Sequence, residues 1–587
     1  MFCTTGVLLR RLATDPTLDS VSHVFVDEIH ERGMNEDFLL VVLRDVLPRR
    51  PDLKLVLMSA TLNAELFAGY FGGAPMAHIP GFTFPVQEYY LEDVLEAAGN
   101  ITVSSASQGG GGGGGGGGGF GGGGGFRIRH GGRGGRGGAD TRTAGDGSAP
   151  IAAEDEEAEP PEWSALSPRT ADALRTWTAK CKGDDKVDVE LVRDVVKHIA
   201  SAPASVADSG GDGAILVFLT GWDEITKLND LCAADPVLGD RARCKVLPLH
   251  GAMPTANQRE IFDRPPPGVR KIVIATNIAE TSITIDDVVY VVDAGKSKEK
   301  TYDALNNLAS LLPSWVSKAS AHQRRGRAGR VKAGVCYRVY TRQQHAAMAD
   351  HATPELLRTP LEELCLTIKS LGLGSAAAFI GRALQPPDER SVHNALELLT
   401  TIGALDQHEE LTPLGRHLAA LPVDPRVGKM LITAAALGCL SPALTIAAGM
   451  AYKDPFVLPI DKKAAADAVR RQLAGGTCSD HVALVRAFEG WERARREGGF
   501  KGAREFCRSH FLAPNTLELM AEMRLQFGHL LEGIGFIPAG TRSLDSASAP
   551  HNTHSGDVGL LRAVICSGMY PKLVAVQRRG KPLNPKP

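Results

Sequence analysis

The sequence predicts an α/β protein with two parallel-sheet lobes followed by a mostly helical C-terminal region. Three observations lead to this prediction: strand and helix patterns alternate in two stretches, a glycine-rich segment separates them, and helical apolar stripes follow Pro354. Alternating strands and helices are typical of a parallel sheet. The chain of 587 residues is too long for one hydrophobic core and should contain several domains.

The first stretch contains a pair of adjacent carboxylates. Residues 22–32 have the sequence S-H-V-F-V-D-E-I-H-E-R, in which a short apolar run ends at Asp27, Glu28 and then His30. Ligands of open α/β sheets bind beyond the carboxyl ends of the strands. One carboxylate there can hold a hydrated Mg²⁺, and the other can orient or deprotonate a water molecule. The segment therefore predicts the hydrolytic centre of an NTPase.

The elements around this segment predict the rest of the first lobe. Helices are predicted over residues 38–46 and 63–71, and a strand over 53–58 ends in Ser59-Ala60-Thr61.

Near the start, Thr4, Thr5 and Gly6 precede an apolar set that predicts a helix. Hydroxyls and free N–H groups at a helix start can hold a phosphate. A plain N-cap is the alternative, and the pattern alone does not decide between them.

A glycine-rich segment then interrupts the pattern. Residues 109–119 are all glycine, and glycine-rich sequence with phenylalanine and arginine continues to residue 138. Such sequence cannot bury enough apolar surface to offset its ordering entropy, so we predict disorder that extends through the acidic residues 154–159. Glycine-spaced arginines and aromatic residues can contact single-stranded nucleic acid. A passive surface loop is an equal alternative. Order is expected to resume at about residue 187.

The second lobe is predicted from five strands whose ends carry polar residues. They cover residues 214–219, 245–249, 271–275, 288–292 and 334–340, and they end near Thr220-Gly221, His250-Gly251, Thr276-Asn277 and Asp293. Two such lobes place a cleft between them, where a nucleotide could bind.

Residues 323–330, Q-R-R-G-R-A-G-R, form the densest charge cluster. Arginine binds phosphate oxygens bidentately. Arg327 and Arg330 are three residues apart and would share one face of a helix. They could stabilise charge on a transferred phosphoryl group from across the cleft. A solvated basic helix is the alternative.

Beyond Pro354 the apolar stripes favour helices whose apolar residues form core. One stripe contains Leu361, Leu364, Ile368 and Leu371, and another contains Val392, Leu396, Leu399 and Ile402. Residues 403–412 then suggest a short hairpin, so that helix, helix and hairpin are compatible with a winged helix. Residues 414–531 are predicted to be mostly helical.

Composition excludes several classes of protein. The net charge of −2 gives no global nucleic-acid signature, so such binding must come from local patches. The ten cysteines include no C-x-x-C pair, as in a cytoplasmic or nuclear protein with reduced thiols. No apolar run approaches the ~20 residues that cross a bilayer, and no signal segment is present. We therefore expect no membrane partner. No helical stripe is dedicated to oligomerisation, so we also expect a monomer.

Taken together, these segments resemble the superfamily 2 DEAH-box RNA helicases, most closely the group around RNA helicase A. Six segments occur in the order of that family, and the resemblance covers nearly the whole chain except the glycine-rich insert. They are T-T-G (4–6), similar to motif Ib; D-E-I-H (27–30), to motif II; S-A-T (59–61), to motif III; F-L-T-G (218–221), to motif IV; A-T-N-I-A-E-T-S-I-T-I-D (275–286), to motif V; and Q-R-R-G-R-A-G-R, to motif VI.

The resemblance implies roles at a site for ATP, or another NTP, with Mg²⁺. Asp27, with Glu28, would bind Mg²⁺ largely through water, and Glu28 would activate the attacking water. His30, Ser59 and Thr61 would couple hydrolysis to movement of the lobes. From the second lobe Gln323, Arg327 and Arg330 would reach the γ-phosphate, and Asp286 would lie near the sugar.

The resemblance also implies RNA as the partner. The residues expected to contact the RNA backbone are Thr4, Thr5, Gly6, Thr220, Gly221, Thr276, Asn277 and Thr281. Backbone contacts supply affinity without base specificity.

The family fold implies six regions. They are the C-terminal part of a RecA-like lobe 1 (1–95), a disordered insert (96–186), a RecA-like lobe 2 (187–345), a winged helix (346–413), a helical ratchet domain (414–531), and a linker with a truncated OB-like start (532–587).

The sequence departs from the family in lacking a P-loop, G-x-x-x-x-G-K-[ST]. The nearest segment is Gly295-Lys296-Ser297, but Tyr290 occupies the place of the first glycine. In the family the P-loop lies upstream of T-T-G. We therefore expect a chain truncated at both ends, as a partial gene model in preference to a genuine short form.

Three functions follow from these observations. The first is an ATP-dependent RNA helicase that moves 3′ to 5′, of which this chain alone would hydrolyse ATP poorly or not at all. The second is a non-catalytic RNA-binding or regulatory protein. The third is a helicase that acts on DNA or DNA–RNA hybrids.

Overall fold

The computed structural model describes most of the chain outside the glycine-rich insert. The described residues are 1–60, 64–79, 81, 84–97, 101, 103, 161–181, 186–201, 213–250, 259–280, 283–457, 462–541, 543–572, 575–579 and 581–586. The predicted disorder of residues 109–138 and 154–159 therefore lies outside the described residues, as do Thr61, Gly251 and Thr281.

The described residues of lobe 1 form two parallel strands and three helices. In chain order they are α1 (Thr5–Thr14), β1 (His23–Val26), α2 (Met34–Val46), β2 (Lys54–Leu57) and α3 (Ala64–Tyr70). Side chains alternate along β1, so Val24 and Val26 are buried while Phe25 is 62% exposed. The helix α2 makes the largest contribution to the core of this lobe, with residues 37–43 and Val46 buried. The predicted order of strand, helix, strand and helix is confirmed.

Lobe 2 is a six-stranded parallel sheet with helices on its faces. Its elements are β3 (Val86–Tyr89), α4 (Leu91–Ala97), α5 (Pro168–Cys181), α6 (Val189–Ser201), β4 (Ala214–Phe218), α7 (Trp222–Ala234), β5 (Cys244–Leu249), β6 (Arg270–Ala275), β7 (Val288–Asp293), β8 (Lys296–Asp303), β9 (Leu308–Trp315), α8 (Lys318–Gly326), β10 (Gly334–Arg338) and α9 (Arg342–Ala347). The strand order is β3-β10-β7-β4-β6-β5, and every pairing is parallel. All five predicted strands are present. The central strands β4 and β7 are buried throughout, as expected for a sheet covered on both faces.

The chain enters lobe 2 earlier than expected. Strand β3 pairs with β10, with Val86 opposite Gly334, and α4 packs on the same sheet. The expected end of lobe 1 at residue 95 is therefore wrong. A four-residue strand carries no local signal for the sheet that it joins, and here the choice depends on contacts with residues 250 positions away.

The range 96–186 was expected to be disordered, yet it contains the helix α5. This helix buries Leu174 and Trp177, and the Trp177 ring lies 6.4 Å from the Trp315 ring. The expectation is wrong for residues 161–181. The low apolar content of the neighbouring residues concealed a helix that is stabilised by tertiary contacts.

A long antiparallel hairpin, β8–β9, was not predicted. It pairs Lys296 with Trp315 at its base and Asp303 with Leu308 at its tip. Its outer leucines are exposed, with Leu308 and Leu311 each 59% exposed. The strands therefore lack the continuous apolar run by which the sheet strands were recognised.

The C-terminal region is helical, as predicted. It contains α10 (Glu355–Arg358), α11 (Glu362–Ser370), α12 (Ala376–Ile380), α13 (Glu389–Thr401), α14 (Pro413–Ala419), α15 (Pro425–Ala436), α16 (Leu440–Ala451), α17 (Lys463–Ala474), α18 (Asp480–Ser509), α19 (Pro514–Gly533) and α20 (Val558–Met569), then the strands β11 (Ala575–Arg579) and β12 (Lys581–Lys586). An antiparallel bridge between Leu405 and Leu411 follows α13, so the predicted helix, helix and hairpin are confirmed. Across the described ranges, no helix combines the length and apolar character needed to span a bilayer.

Hydrophobic packing divides the molecule differently from chain order. Lobe 1 shares one continuous cluster of buried side chains with the C-terminal helices, including a contact of 5.3 Å between the Phe38 and Phe379 rings. Lobe 2 contains two clusters of its own, one on each face of the sheet. Lobe 1 and the C-terminal region thus form one packed body, and the contacts of lobe 2 with that body described below are polar.

Candidate functional site

The two carboxylates lie where the sequence predicts, at the carboxyl end of β1. Asp27 and Glu28 are both exposed. The amide of Glu28 donates a hydrogen bond of 2.9 Å to Asp27 Oδ1, and Glu28 has a left-handed φ of 51°. The amide of Ile29 donates to the Met58 carbonyl at 3.1 Å, which attaches the loop to the end of β2. Residues Ile29–Glu31 then form one 3-10 turn that carries His30. We call residues 27–31 the acidic loop.

His30 connects the acidic loop to lobe 2. Its Nε2 lies 2.7 Å from Gln323 Nε2 on α8. Its Nδ1 lies 3.5 Å from Glu28 Oε2 and 3.4 Å from the amide nitrogen of Ala60, the residue after Ser59. Gln323 Nε2 can only donate, so His30 Nε2 accepts and Nδ1 carries the ring hydrogen. In this tautomer Nδ1 faces Glu28 as a donor, and the approach of the Ala60 amide at 3.4 Å is a contact and not a hydrogen bond. One imidazole thus contacts the acidic loop, the end of β2 and the other lobe.

Arg327 and Arg330 face the acidic loop, but not from one helix. Helix α8 ends at Gly326, so the expected shared helical face is wrong. Both arginines bind the segment after β6 instead: Arg327 donates to the carbonyls of Glu280 and Ile283, the latter at 3.2 Å, and Arg330 donates to Thr284 Oγ1. The glycines of the motif occupy the turn in which the helix stops. The two side chains converge because they bind the same segment.

Burial lowers the pKa of both arginines. Burial, and then the charge of Arg330, lowers the pKa of Arg327 to about 10. Burial likewise lowers the pKa of Arg330, although the charges of Asp286 and Glu28 oppose this change. The charge of Glu28 acts on both arginines from across the cleft. Two partly desolvated cations near a carboxylate are suited to binding an additional anion.

The other two arginines of the cluster are structural, which the sequence analysis missed. Arg324 is fully buried, donates to Glu280 Oε2 and Asp293 Oδ1 at 2.9 Å each, and lies 4.9 Å from the Phe218 ring. Burial lowers its pKa, but the charges of Asp293 and Glu280 outweigh that effect and raise it above its ordinary value. Arg325 donates to Glu88 of β3 at 2.5 Å. Four arginines within seven residues look alike in sequence, and their partners distinguish them. Arg324 and Arg325 bind carboxylates, whereas Arg327 and Arg330 bind backbone carbonyls and a hydroxyl.

Asp286 is exposed and lines a cavity of about 360 Å³ at the edge of lobe 2. Pro266, Val331 and Lys332 also line it. The neighbouring Asp287 pairs with the buried Lys271 at 2.7 Å. Of the two neighbouring aspartates, Asp286 is therefore the one that is directed to solvent near Arg330.

At the start of lobe 1, Thr4, Thr5 and Gly6 differ in what they contact. Thr4 is the N-cap of α1, but its side chain makes no capping hydrogen bond. Thr5 Oγ1 donates to Glu36 Oε1 at 2.7 Å. At Gly6 an added Cβ would meet nothing within 4 Å. The helix start is thus open to an approaching ligand.

In lobe 2, the residues predicted to contact RNA lie at the ends of the adjacent strands β4 and β6. Thr220 and Thr276 are buried, whereas Asn277 is exposed. A Cβ on Gly221 would lie 2.8 Å from Lys298 Nζ, so only glycine permits this approach of the lysine. Ser59, in lobe 1, is exposed beyond β2, and the predicted roles of Thr61 and Thr281 lie outside the described residues.

Three further side chains surround Gly221 and were missed. Trp222 is 42% exposed, and its ring lies 5.6 Å from that of His250. Burial, followed by the charges of Lys453 and Lys298, lowers the pKa of His250. An exposed aromatic ring beside clustered positive charge is typical of a nucleic-acid contact. The only signal in the sequence was the position of Trp222 directly after F-L-T-G.

The residues present fit Mg²⁺ only as an ion that keeps most of its water. Within the part of the chain that the structure describes, no three His, Cys, Asp or Glu side chains form a metal-binding group. Asp27 and Glu28 offer adjacent exposed oxygens, which suits an ion bound by one or two carboxylates plus water and substrate phosphate.

Three family models match the chain. They are the helicase conserved C-terminal domain over residues 194–332, the winged-helix part of the helicase-associated domain HA2 over 395–423, and the ratchet-like part of that domain over 424–511. The matches cover part of lobe 2, part of the predicted winged helix and part of the predicted ratchet domain.

Curated relatives match over nearly the whole chain. The DExH-box ATP-dependent RNA helicase DExH1 of Arabidopsis thaliana is 53% identical over 581 residues, which cover 99% of this chain and 54% of that protein. DExH3 of the same plant is 48% identical over 588 residues, 100% of this chain and 46% of that protein. The ATP-dependent DNA/RNA helicase DHX36 of Homo sapiens is 45% identical over 583 residues, which cover 98% of this chain and 54% of that protein. The chain spans about half the length of these relatives.

Proposed function

Because the chain belongs to the DEAH-box family of superfamily 2 helicases, we propose that it forms part of the core of an ATP-dependent RNA helicase. In this proposal, NTP hydrolysis between the two lobes drives 3′-to-5′ movement on RNA. The observation that carries the proposal is the contact of 2.7 Å between His30 and Gln323, which joins the acidic loop to the arginine cluster across the cleft.

The nucleotide would bind between Asp27 and Glu28 on one side and Gln323, Arg327 and Arg330 on the other. Asp27 would hold Mg²⁺ through water, and that ion would neutralise charge on the phosphates. Glu28 would orient the attacking water and accept its proton. The arginines would exchange their present carbonyl and hydroxyl partners for γ-phosphate oxygens, which carry more charge. Asp286 would lie beside the sugar.

Coupling would depend on His30 together with Ser59 and Thr61. His30 contacts both the acidic loop and α8, so a nucleotide that displaced either one would change the position of the other. The end of β2 shares this imidazole through Ala60, which supports a role for the neighbouring Ser59.

RNA would lie across the ends of the strands of lobe 2 and the start of α1. Thr4, Thr5 and Gly6 would hold its backbone on lobe 1. Thr220, Gly221, Thr276, Asn277 and Thr281 would hold it on lobe 2, with Trp222 and Lys298 adding stacking and charge. Alternate gripping by lobes that open and close would move the strand.

We propose that this chain by itself hydrolyses ATP poorly or not at all, because its 587 residues contain no G-x-x-x-x-G-K-[ST] segment to cradle the β- and γ-phosphates. The test is phosphate release with and without single-stranded RNA, with the Glu28→Gln variant as a control for contaminating ATPase. We expect equal rates for both proteins. Robust RNA-stimulated turnover that disappears in Glu28→Gln would refute the deficiency.

A non-catalytic RNA-binding or regulatory role is the second candidate, favoured by that missing segment. It requires RNA affinity that falls steeply with salt and does not respond to ATP. The third candidate function is a helicase that acts on DNA or DNA–RNA hybrids, which is suggested by a relative named as a DNA/RNA helicase. Competition between RNA and DNA strands of one sequence distinguishes an RNA helicase from a DNA helicase. We also propose a monomer in the cytoplasm or nucleus, which light scattering and imaging of the tagged chain would test.

A further inference from the structure

One residue of the winged-helix region, Glu355, contacts both lobes. It is the first residue of α10, and each of its carboxylate oxygens binds a different part of the molecule. Oε2 accepts a hydrogen bond of 3.1 Å from the amide of Met34 in lobe 1. Oε1 lies 3.1 Å from Lys300 Nζ on the hairpin of lobe 2. The backbone amide of Glu355 also donates to the Arg32 carbonyl at 2.9 Å.

On the lobe 1 side, these contacts fix the residues that directly follow the acidic loop. Arg32 has a left-handed φ of 52°, which is unfavourable for a side chain of its size. It is held there by Asp37, at 2.7 and 3.0 Å, by Gln385 at 2.8 Å, and by the bond of its carbonyl to Glu355. Residues 32–34 are thus clamped by the winged-helix region at a point two residues from His30.

On the lobe 2 side, the hairpin rests on the winged-helix region at two places. Lys300 binds Glu355, and near the tip Asn394 Nδ2 donates to Tyr302 Oη at 3.0 Å and to the Ala304 carbonyl at 2.8 Å. The hairpin begins two residues after β7 and ends two residues before α8, the helix that carries Gln323. A displacement of the lobe 2 sheet is therefore transmitted to Lys300.

The contacts of Glu355 favour its charged carboxylate. Burial alone would raise its pKa, but the amide of Met34 and the charge of Lys300 outweigh burial and lower it. A glutamate can bind an amide and an ammonium simultaneously with separate oxygens, so its two contacts are linked through one rigid group.

We infer that Glu355 is a positioning residue that links the β8–β9 hairpin of lobe 2 to the acidic loop of lobe 1. When the hairpin moves with lobe 2, the ion pair pulls on the carboxylate, and the carboxylate pulls on residues 32–34. This connection is independent of the contact between His30 and Gln323, and it runs through the winged-helix region instead of the cleft. The linkage itself is a property of the fold, whereas its use in coupling hydrolysis to movement rests on the proposed function.

The test is amide hydrogen exchange of the full chain, read in peptides that cover residues 28–35 and 296–315. Lys300→Met removes the charge but keeps most of the apolar stem, and among the described residues the side chain of Lys300 forms its ion pair with Glu355. We expect exchange to rise about two- to five-fold in both peptides, the range for an exposed ion pair. The matched control is Lys245→Met, which removes a pair of 2.8 Å with Glu260 inside lobe 2 and should change neither peptide.

Glu355→Gln provides the second variant, because its amide oxygen can still accept from Met34 while its charge is gone. It should reproduce the effect of Lys300→Met, and the double variant should add nothing further. If Lys300→Met loosens only the hairpin and leaves residues 28–35 unchanged, or if the two substitutions are additive, the linkage is overturned. Exchange needs neither ATP nor RNA, so failure here is distinguishable from failure of the proposed helicase function.

Discussion

Gln323 of lobe 2 lies 2.7 Å from His30 of lobe 1, measured between their Nε2 atoms, and His30 is itself 3.5 Å from Glu28. This is a direct side-chain contact between the acidic loop and the helix that precedes the arginine pair. Among the described residues, the buried apolar side chains of lobe 1 and of lobe 2 belong to separate clusters, so polar contacts of this kind contribute to holding one lobe against the other.

Removal of this contact should loosen the acidic loop. In Gln323→Ala, amides in residues 28–33 should exchange about two- to ten-fold faster, the range for one lost net hydrogen bond. Gln343→Ala, at an exposed position at the start of α9, is the control and should leave these amides unchanged. Unaltered exchange in Gln323→Ala would mean that the contact does not hold the loop.

Substitution of two arginines of the same cluster should lower stability by very different amounts. Arg324→Ala removes the cation that binds both Glu280 and Asp293 at 2.9 Å, and it leaves Asp293 only the more distant Arg338, at 3.7 Å. We therefore expect a loss of about 3–5 kcal/mol in the free energy of unfolding of lobe 2. Arg330→Ala, at an exposed position, should cost less than about 1 kcal/mol. Urea unfolding followed by tryptophan fluorescence compares them. Similar losses in the two variants would contradict the assignment of Arg324 to structure and Arg330 to the cleft.

Glu88 should make the attachment of β3 sensitive to acid. Burial raises its pKa, but hydrogen bonds from Arg325 and Arg338 outweigh burial and lower it below the ordinary value of 4.5. A carboxylate with a lowered folded-state pKa contributes stability that is present above the unfolded value and lost as pH falls through the folded value. The midpoint temperature of thermal unfolding should therefore decrease as the pH is lowered below about 4.5.

The control for this pH dependence is Glu88→Gln, which cannot titrate. It should be less stable than the unsubstituted chain at pH 7, and the difference should shrink as the pH falls below 4.5. A constant difference between the two proteins across this range would show that Glu88 is not the titrating group.

Lys298 should contribute to RNA binding through charge. In Lys298→Met we expect weaker binding and a slope of log K against log salt that is smaller by about 1, as for one lost phosphate contact. Lys245→Met, on β5, serves as the control for lost charge elsewhere on lobe 2. Fluorescence anisotropy with single-stranded RNA at several salt concentrations gives both quantities. An unchanged slope would exclude Lys298 from the phosphate contacts.

Much of the fold was predictable because its signals are local. Each buried strand of lobe 2 is a short apolar run, and the residue directly after such a run lies at the carboxyl edge of the sheet. Asp27, Glu28, Thr220 and Thr276 were placed correctly for this reason. The hairpin β8–β9 was missed because its exposed strands carry no such run, and the helix over Arg327 and Arg330 was wrong because two glycines end it early.

The sequence by itself determined the family, the two parallel-sheet patterns and the positions of the acidic loop and the arginine cluster, since these depend on residue type and spacing along the chain. Only the tertiary structure decided that β3 belongs to the second sheet, that Arg324 is buried while Arg330 faces the cleft, and that Glu355 contacts both lobes. The physical reason is that burial and pairing between residues hundreds of positions apart depend on three-dimensional packing, which no local pattern encodes.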